Sequence, residues 1–479
     1  MARSSMSRRA FLGSLTATGA AFTIGQLPGV GLAAAKASTP ATTQPAALYP
    51  ALADDVRAGL LFTYQKYLQL AGNYDQLKPL SGTGTNFFSA SHSIGLTRIE
   101  VLDTLYLMEL DTELAAAVDY IVNEVNFDID VSVEVFEAVI RVVGGLLSGY
   151  HATQDPRLLA KAKDMADRLL PVYEQSPTGL PYRFVNLHTG AVSGTTNNCA
   201  EIGTNVAEFG DLSRLTDDPR YINAAERAQK AVFDRRSPLN LIGTWIDILS
   251  GEWVVPNSTI NPPVDSYYEY LFDGWDFLSI HDDLIMFHTL TDAVLQRLSI
   301  TVKDHLWFAT VDMTTGDLVS DVQSELASYY AGLLAQGGYI KAGHAFHDSW
   351  KAALDSGRYR VLPESLDPKT FRPISKGNQL RPEYVDSALF LWLTTGDKVF
   401  VDRAVEYYKN VKATSLTPNG YTILTDVVAE KQGDFTSAYW YSENMKYYYL
   451  MFGRPQRFDY ANNYLTTEGN VLKGLLSPS

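Results

Sequence analysis

The hydrophobic and polar positions along the chain predict a protein built mainly from helices. Apolar residues recur with helical spacing in fourteen segments, and short stretches rich in Gly, Pro, Asn and Asp separate them. Two connections, at 178–194 and 242–254, have the character of β-hairpins. The fourteen helical segments are 51–70, 97–110, 112–125, 133–152, 156–173, 198–215, 219–235, 265–279, 281–298, 320–335, 342–356, 381–395, 397–410 and 436–452.

These helices are of two kinds. The segment 133–150 is apolar nearly all round, which is typical of a helix buried inside a large protein, whereas 156–173 has one polar face. The fourteen segments form seven hairpin-like pairs, and no fixed-period repeat of the solenoid kind joins them. We therefore expect an all-α fold in which the antiparallel pairs close into a ring, with buried helices inside and amphipathic helices outside.

The buried segment nevertheless carries charges. In "VEVFEAVIRVVGGLLSGYH" (133–151), helical spacing places Glu134, Glu137 and Arg141 on one face. Burying a charge costs free energy unless the charge is paired, so this face predicts a partner or a wet cavity. The alternative is an ordinary i,i+4 ion pair between Glu137 and Arg141 on an exposed edge.

Other apolar helices contain acids in the same way, and each acid also has an ordinary explanation. Acids in a first helical turn complement the helix dipole, Glu269 has tyrosines close in sequence, and Lys446 follows Glu443. Their joint occurrence on several apolar helices instead favours convergence in the lumen of a ring. Carboxylates beside aromatic side chains suit cleavage of a glycosidic bond. The acids in question are Glu201, Glu208, Asp265, Glu269, Glu383, Asp386 and Glu443.

Charge and composition exclude several other functions. A net charge of −15 argues against nucleic acid as a partner, because phosphates require a basic surface. Cys199 is the single cysteine, so no intramolecular disulfide forms. The sequence contains no G-x-S-x-G, P-loop or H-E-x-x-H motif, and the pair His344 and His347 has no evident third metal ligand.

The N-terminal residues predict export. The stretch "SRRAFL" (7–12) resembles a twin-arginine motif, and A-x-A cleavage candidates end near residue 37. We expect residues 1–37 to be a signal peptide, 38–48 a linker and 49–479 the catalytic domain. This organisation predicts a periplasmic or secreted protein without a membrane anchor, which we expect to be a monomer.

Several motifs, in order, resemble glycoside hydrolase family 47, the class I α-mannosidases. The resemblance runs from about residue 90 to 468, and the export signal suggests a bacterial member. The motifs that carry it are "LTRIEVLDTLYLMEL", "FEAVIRVVGGLLSGYH", "AEIGTNVAEFGDLSRLTDDPRY", "VDSYYEYL", "LRPEYVDSALFLWLTTGD", "SENMKYYYLMF" and "YLTTEGN".

The resemblance implies an (α/α)7 barrel that removes terminal α-1,2-linked mannose with inversion and binds one Ca²⁺. It implies that Glu137 is an acid, acting directly or through a water, that Asp265 is a second candidate acid, and that Glu383 is the general base. It implies that Thr467 holds the Ca²⁺. The residues it places at the sugar subsite or around the metal are Arg141, Glu201, Glu208, Arg381, Asp386, Tyr439 and Glu443.

This chain departs from the family pattern at some positions, which leaves the +1 subsite and the linkage preference open, and two alternative functions remain. Glu100 stands where the family has an aspartate, and Glu325-Leu326-Ala327 stands where it has D-H-L, so a histidine is missing. The alternatives are a mannose-binding, lectin-like member without turnover, and another inverting (α/α)-barrel glycosidase.

Overall fold

The computed structural model describes residues 47–477. The predicted signal peptide (1–37) lies outside the described residues, and so does the predicted linker (38–48) as far as residue 46. Between residues 47 and 477, none of the helices has both the length and the apolar character needed to span a membrane.

Helices dominate this part of the chain. Two π-helical turns, Ala138–Val143 and Trp440–Asn444, and a 3₁₀ turn, Glu325–Tyr329, lead directly into α-helices. The α-helices are α1 (Pro50–Ala71), α2 (Leu96–Glu100), α3 (Leu102–Leu107), α4 (Asp111–Glu124), α5 (Val135–Glu137), α6 (Gly144–Thr153), α7 (Pro156–Leu169), α8 (Pro171–Glu174), α9 (Cys199–Gly203), α10 (Val206–Thr216), α11 (Arg220–Phe233), α12 (Asp265–Leu278), α13 (His281–Arg297), α14 (Tyr330–Gln336), α15 (Ile340–Asp355), α16 (Glu383–Thr395), α17 (Lys398–Ser415) and α18 (Met445–Phe452).

The longer helices form two concentric rings. The inner helices α3, α6, α10, α12, α14, α16 and α18 contact one another in that order, and α18 returns to α3. Each inner helix also packs most extensively against one outer helix, in the pairs α3–α4, α6–α7, α10–α11, α12–α13, α14–α15, α16–α17 and α18–α1. The backbone N–H of Tyr49 donates to the carbonyl of Phe452 (3.0 Å), where the first helix meets the last. The predicted (α/α)7 barrel is thus confirmed.

The contrast between α6 and α7 follows from their sequences. Gly145 and Gly149 allow α6 to approach its neighbours closely, since a Cβ on Gly149 would lie 2.4 Å from a methyl carbon of Leu102. Outer helix α7 starts where the Asp155 carboxylate accepts a hydrogen bond from the backbone N–H of Arg157 (2.9 Å), with a proline in its first turn. It buries only one stripe, Leu158, Ala162, Met165, Ala166 and Leu169.

Short antiparallel strands fill the connections, and both predicted hairpins are present as β4–β5 and β7–β8. The strands are β1 (Gln76–Lys78), β2 (Thr83–Thr85), β3 (Ser132–Glu134), β4 (Phe184–Asn186), β5 (Val192–Ser193), β6 (Thr196–Asn198), β7 (Trp245–Asp247), β8 (Trp253–Val255), β9 (Asn257–Ser258), β10 (Ser299–Val302), β11 (His305–Phe308), β12 (Thr310–Asp312), β13 (Leu318–Ser320), β14 (Gln323–Ser324), β15 (Ser365–Leu366), β16 (Pro373–Ser375), β17 (Leu416–Thr417), β18 (Gly420–Tyr421), β19 (Leu424–Asp426), β20 (Lys431–Gln432), β21 (Tyr464–Leu465) and β22 (Val471–Lys473).

Some predicted helix starts are wrong, among them those at residues 133 and 320. Glu134 is not helical but ends β3, because residues 132–134 pair with 184–186 in an antiparallel ladder. The segment predicted as a helix from residue 320 continues as extended chain to Ser324, where β14 pairs with β15, and turns helical only at Glu325. In both places inter-strand hydrogen bonds determine the local structure, and an apolar pattern does not reveal such pairing.

The C-terminal hairpin β21–β22 brings its turn against the inner helices. The side-chain amide of Asn470 donates to the carbonyl of Ile140 (3.0 Å), and the backbone N–H of Val471 donates to Asp103 (2.8 Å). Lys446, which is fully buried, pairs with the same aspartate at 2.7 Å. These contacts fix the positions of Thr467 and Glu468 beside the inner ring.

Candidate active site

The inner helices surround a cavity of about 230 Å³ whose wall is rich in carboxylates. Ten of the eleven site residues predicted from the sequence line it: Glu137, Arg141, Glu201, Asp265, Arg381, Glu383, Asp386, Tyr439, Glu443 and Thr467. Glu269, Tyr329 and Glu468 also line the cavity. Leu326 lines it as well, and its side chain is apolar, whereas the D-H-L segment of the family pattern has a histidine.

Local backbone structure aims the acids at this cavity. Asp265 and Glu383 are the first residues of α12 and α16, so both lie at a helix N-terminus. Arg141 and Glu443 lie in the two π-helical turns. Such turns are rare and often mark functional sites, because the extra residue redirects the side chains next to it. The hydrophobic pattern contained no signal for them.

Arg141 holds three carboxylates. Its Nε donates to Glu137 (2.5 Å), and its Nη1 donates to Glu468 (2.5 Å) and to Glu100 (3.3 Å). The expected i,i+4 pair therefore exists, but it lies in the cavity wall and not on an exposed edge, since only 11% of the Arg141 side chain is exposed. The sequence reasoning missed Glu468, although it follows Thr467 directly in the "YLTTEGN" motif.

Burial dominates the electrostatics around Arg141. It raises the pKa of Glu100 to about 7 and that of Glu468 to about 8, although the guanidinium opposes both shifts. Both carboxyl groups therefore titrate near neutral pH.

Another part of the wall contains Asp265, Glu383 and Arg381. Burial raises the pKa of Asp265 to about 6 and that of Glu383 to about 7, and the positive charge of Arg381 lowers both. Arg381 is itself held by Glu364, which accepts from its Nε and Nη2 at 3.1 Å each. Tyr329 donates to the backbone carbonyl of Asp265 (2.9 Å), and Tyr439 donates to the carbonyl of Gln379 (2.5 Å).

Several buried acids lie in the part of the cavity that contains Thr467, which we call its floor. The Thr467 hydroxyl donates to Glu269 (3.0 Å), so the partner that the structure gives Glu269 is a threonine and not one of the tyrosines close in sequence. Glu443 accepts from Tyr447 (3.1 Å) and does not pair with Lys446, which binds Asp103. Burial and the negative charge of neighbouring acids raise the pKa of Glu269, Asp386 and Glu443 well above the usual range.

This crowding fits a cation, which would relieve the repulsion. Within residues 47–477, however, no three His, Cys, Asp or Glu side chains are arranged to hold a metal by themselves. A metal here would therefore rely on Thr467 oxygens and on water, with the carboxylates around them. Ca²⁺ accepts such an all-oxygen, partly hydrated set of ligands.

At another edge of the cavity, Glu201 is held in place by Arg183. The guanidinium binds both carboxylate oxygens, at 2.7 and 2.8 Å, and lies over the rings of Phe184 and Trp245. Glu134 is 3.6 Å from Arg183, so it belongs to this group and not to that of Arg141. Sequence reasoning missed Arg183, because it lies in a connecting hairpin and not on an apolar helix.

Glu208 is the one predicted site residue that does not line the cavity. It is completely buried and accepts a hydrogen bond from the hydroxyl of Tyr270 (2.7 Å). Burial raises its pKa to about 8. The structure places it behind the cavity wall, beside α12, where it contributes to packing between inner helices.

A ring of helix pairs with converging buried carboxylates suits the cleavage of a glycosidic bond by an (α/α)7-barrel hydrolase. The model of Glycosyl hydrolase family 47 matches residues 60–474. The chain belongs to this family.

Relatives and a solved structure agree with this assignment. The chain is 31% identical to "Alpha-mannosidase I MNS5" of Arabidopsis thaliana, over 88% of this chain and 76% of that protein. It is 32% identical to "ER degradation-enhancing alpha-mannosidase-like protein 2" of Mus musculus, over 88% and 73%. The fold resembles that of the α-1,2-mannosidase from Trichoderma reesei with a TM-score of 0.79 and 23% identity, covering 90% of this chain and all of that one.

Proposed function

We propose that this glycosidase removes terminal α-1,2-linked mannose from glycans with inversion of configuration. The observation that carries the proposal is the convergence of Glu137, Asp265 and Glu383, from separate inner segments, on one cavity. Membership of family 47 supports it, as do the α-mannosidase names of the relatives.

In this proposal Glu383 is the base and Asp265 the acid. Glu383 takes a proton from water while the water oxygen bonds to the anomeric carbon. Asp265 gives a proton to the leaving glycosidic oxygen, so the two carboxyl groups exchange their protonation states. A pKa of about 6 lets Asp265 carry the required proton in weakly acidic solution.

Glu137 is the other candidate acid, as the family resemblance implies. One of its oxygens accepts from Arg141, which neutralises its charge and fixes its orientation. It therefore suits the positioning of a water or a sugar hydroxyl better than the direct transfer of a proton. Comparing Asp265→Asn with Glu137→Gln on a substrate whose leaving group needs no proton tests this assignment. Activity should recover with such a substrate only for the variant that lacks the acid.

We also propose that Ca²⁺ binds at Thr467, through its hydroxyl and carbonyl oxygens and through water. The acidic floor formed by Glu269, Asp386 and Glu443 supports a divalent cation there. When bound, Ca²⁺ would supply positive charge to orient sugar hydroxyls. Thr467→Ala should weaken Ca²⁺ binding, measured by calorimetry, whereas Thr467→Ser should retain most of it. Equal affinity of both variants with the wild type would remove Thr467 from the site.

The central experiment measures mannose release from α-1,2-mannobiose with Ca²⁺ and then with excess EDTA. We expect release that EDTA abolishes and Ca²⁺ restores, and proton NMR should show β-mannose as the first product. Binding of mannose without release would favour a lectin-like protein. Release that ignores EDTA would refute the role of Ca²⁺ and favour a different inverting glycosidase.

The base assignment has its own test. Glu383→Gln should lower kcat by about 10²–10⁴-fold, the usual contribution of a general base. Sugar binding should persist, measured by calorimetry with mannobiose. Normal turnover by this variant would refute the assignment.

The pattern at residues 7–12 leads us to propose that the protein acts outside the cytoplasm, on external glycans. We also propose that it is a monomer. Fractionation of producing cells should find the activity in the periplasm or medium, and Arg8→Lys with Arg9→Lys should retain it in the cytoplasm. Light scattering of the purified protein would check the monomer.

A further inference from the structure

Glu325 is a buried acid close to the proposed base, Glu383. It opens the 3₁₀ turn before α14, and its backbone N–H donates to the carbonyl of Glu364 (3.0 Å). Its side chain is fully buried. Within the part of the chain that the structure describes, neither side-chain oxygen receives a hydrogen bond from an N–H or O–H group. Leaving a buried carboxylate in that state would cost several kcal/mol, on the order of an unpaired buried ion.

The carboxyl of Glu383 lies next to that of Glu325. The two lie within hydrogen-bonding distance of each other. The Oε2 atom of Glu383 likewise has no donor among residues 47–477. Two ionised carboxylates only accept hydrogen bonds, so this contact is favourable only when one of them carries a proton.

The surroundings decide which carboxyl holds that proton. The charged and titratable groups that face Glu325 are Glu383, Glu364, Arg381, Tyr407 and Tyr448. Burial and the charges of Glu383 and Glu364 raise the pKa of Glu325 well above its usual range, whereas that of Glu383 rises only to about 7. Glu383 also opens on the cavity, while Glu325 does not line it. The proton therefore resides on Glu325.

We propose that Glu325 is a positioning residue for Glu383, holding a proton and donating a hydrogen bond to its carboxylate. This interaction rests on the proposed function, in which Glu383 is the base. It favours the ionised form of Glu383 against the effect of burial and turns the other carboxylate oxygen towards the cavity. When Glu383 takes a proton from water, that proton leaves again through the cavity, and the proton of Glu325 stays in place.

Two substitutions with side chains of similar size distinguish hydrogen-bond donation by residue 325 from the space that its side chain fills. Glu325→Gln retains an N–H donor that cannot titrate, and Glu325→Met fills the space without a donor. We expect the Gln variant to keep the wild-type pH profile of kcat/KM. The Met variant should shift the acidic limb upward by about 1–2 pH units and lose about 10–100-fold at pH 5, the value of a hydrogen bond to a charged group.

The opposite results overturn the proposal. If Glu325 were ionised, both substitutions would remove a negative neighbour, and both acidic limbs would move downward. If Glu325 only filled space, both profiles would match that of the wild type. Thermal unfolding of each variant shows whether a loss of activity reflects a loss of folding.

A spectroscopic measurement tests the proton without any substrate. Infrared difference spectra of wild type and Glu325→Gln at pH 7, with Ca²⁺ present, should show one protonated-carboxyl band in the wild type that the variant lacks. Loss of this band supports the proposal even if mannobiose is not cleaved, which would count against the proposed function alone. An unchanged band overturns the proposal.

Discussion

Two ion pairs with the same spacing lie in different environments. Glu137 and Arg141 form an i,i+4 pair in the cavity wall, where 24% and 11% of their side chains are exposed. Lys230 and Asp234 form an i,i+4 pair at the end of outer helix α11, where 64% and 51% are exposed. Sequence spacing alone would assign both to the same ordinary class.

The two pairs differ in what interacts with the remaining side chain when one partner is removed. At the outer pair, water and salt solvate either side chain, so the interaction contributes little. At the inner pair, Arg141 also neutralises Glu100 and Glu468, which burial separates from water. The same chemical pair is thus optional on the surface and necessary in the wall.

The largest effect should come from the inner carboxylate. Glu137→Gln removes the charge next to Arg141, and with it the orientation of the water or sugar hydroxyl that Glu137 positions, so kcat should fall by about 10²-fold, the cost of misplacing a reacting group. The matched change at the outer pair, Asp234→Asn, should leave mannose release unchanged. Similar losses in both variants would show that the comparison reflects folding and not the site.

Removing the inner cation should destabilise the protein. Arg141→Met leaves Glu100 and Glu468 buried without a positive charge, which should cost about 3–5 kcal/mol of unfolding free energy at pH 8. The loss should shrink at pH 5, because the pKa values of about 7 and 8 let both acids become neutral. Urea unfolding at the two pH values checks this, and an equal loss at both would contradict the electrostatic cause.

Part of the fold and of the candidate site could be predicted from the sequence. The inner and outer helices were predictable, because the apolar face of α7 is narrow and α6 is apolar nearly all round. The acids on apolar helices were predictable for the same reason, since charge stands out against a hydrophobic background. Most of the residues found this way line the cavity.

Other site residues left no such signal. Arg183 lies in a hairpin and Glu468 in the turn of another, so only the chain's path in space brings Arg183 to Glu201 and Glu468 to the cavity. The π-helical turns around Arg141 and Glu443 depend on tertiary packing and not on a sequence pattern. Glu208 shared the pattern of the cavity acids, yet Tyr270 holds it behind the wall.

Glu208 provides a third case for the comparison, because it is buried and forms no ion pair with any residue between 47 and 477. Its pKa of about 8 in the folded state lies above the ordinary value of 4.5, so protonation stabilises the fold. That stabilisation is complete below about pH 4.5 and is lost as the pH rises through 8. Glu208→Gln should therefore gain stability relative to the wild type as the pH rises, by up to about 1.4 kcal/mol per pH unit. Thermal unfolding at pH 5 and 8 in EDTA tests this, and parallel pH dependence would contradict it.

The smallest effect is expected at the outer pair itself. Lys230→Gln removes a contact of 2.9 Å between Nζ and Oδ1 of Asp234. Because both side chains are mostly in water, the change should cost only about 0.3–0.5 kcal/mol, and less in high salt. Urea unfolding at low and high salt measures it. A loss comparable to that of Arg141→Met would mean that spacing, and not burial, determines what an ion pair contributes in this barrel.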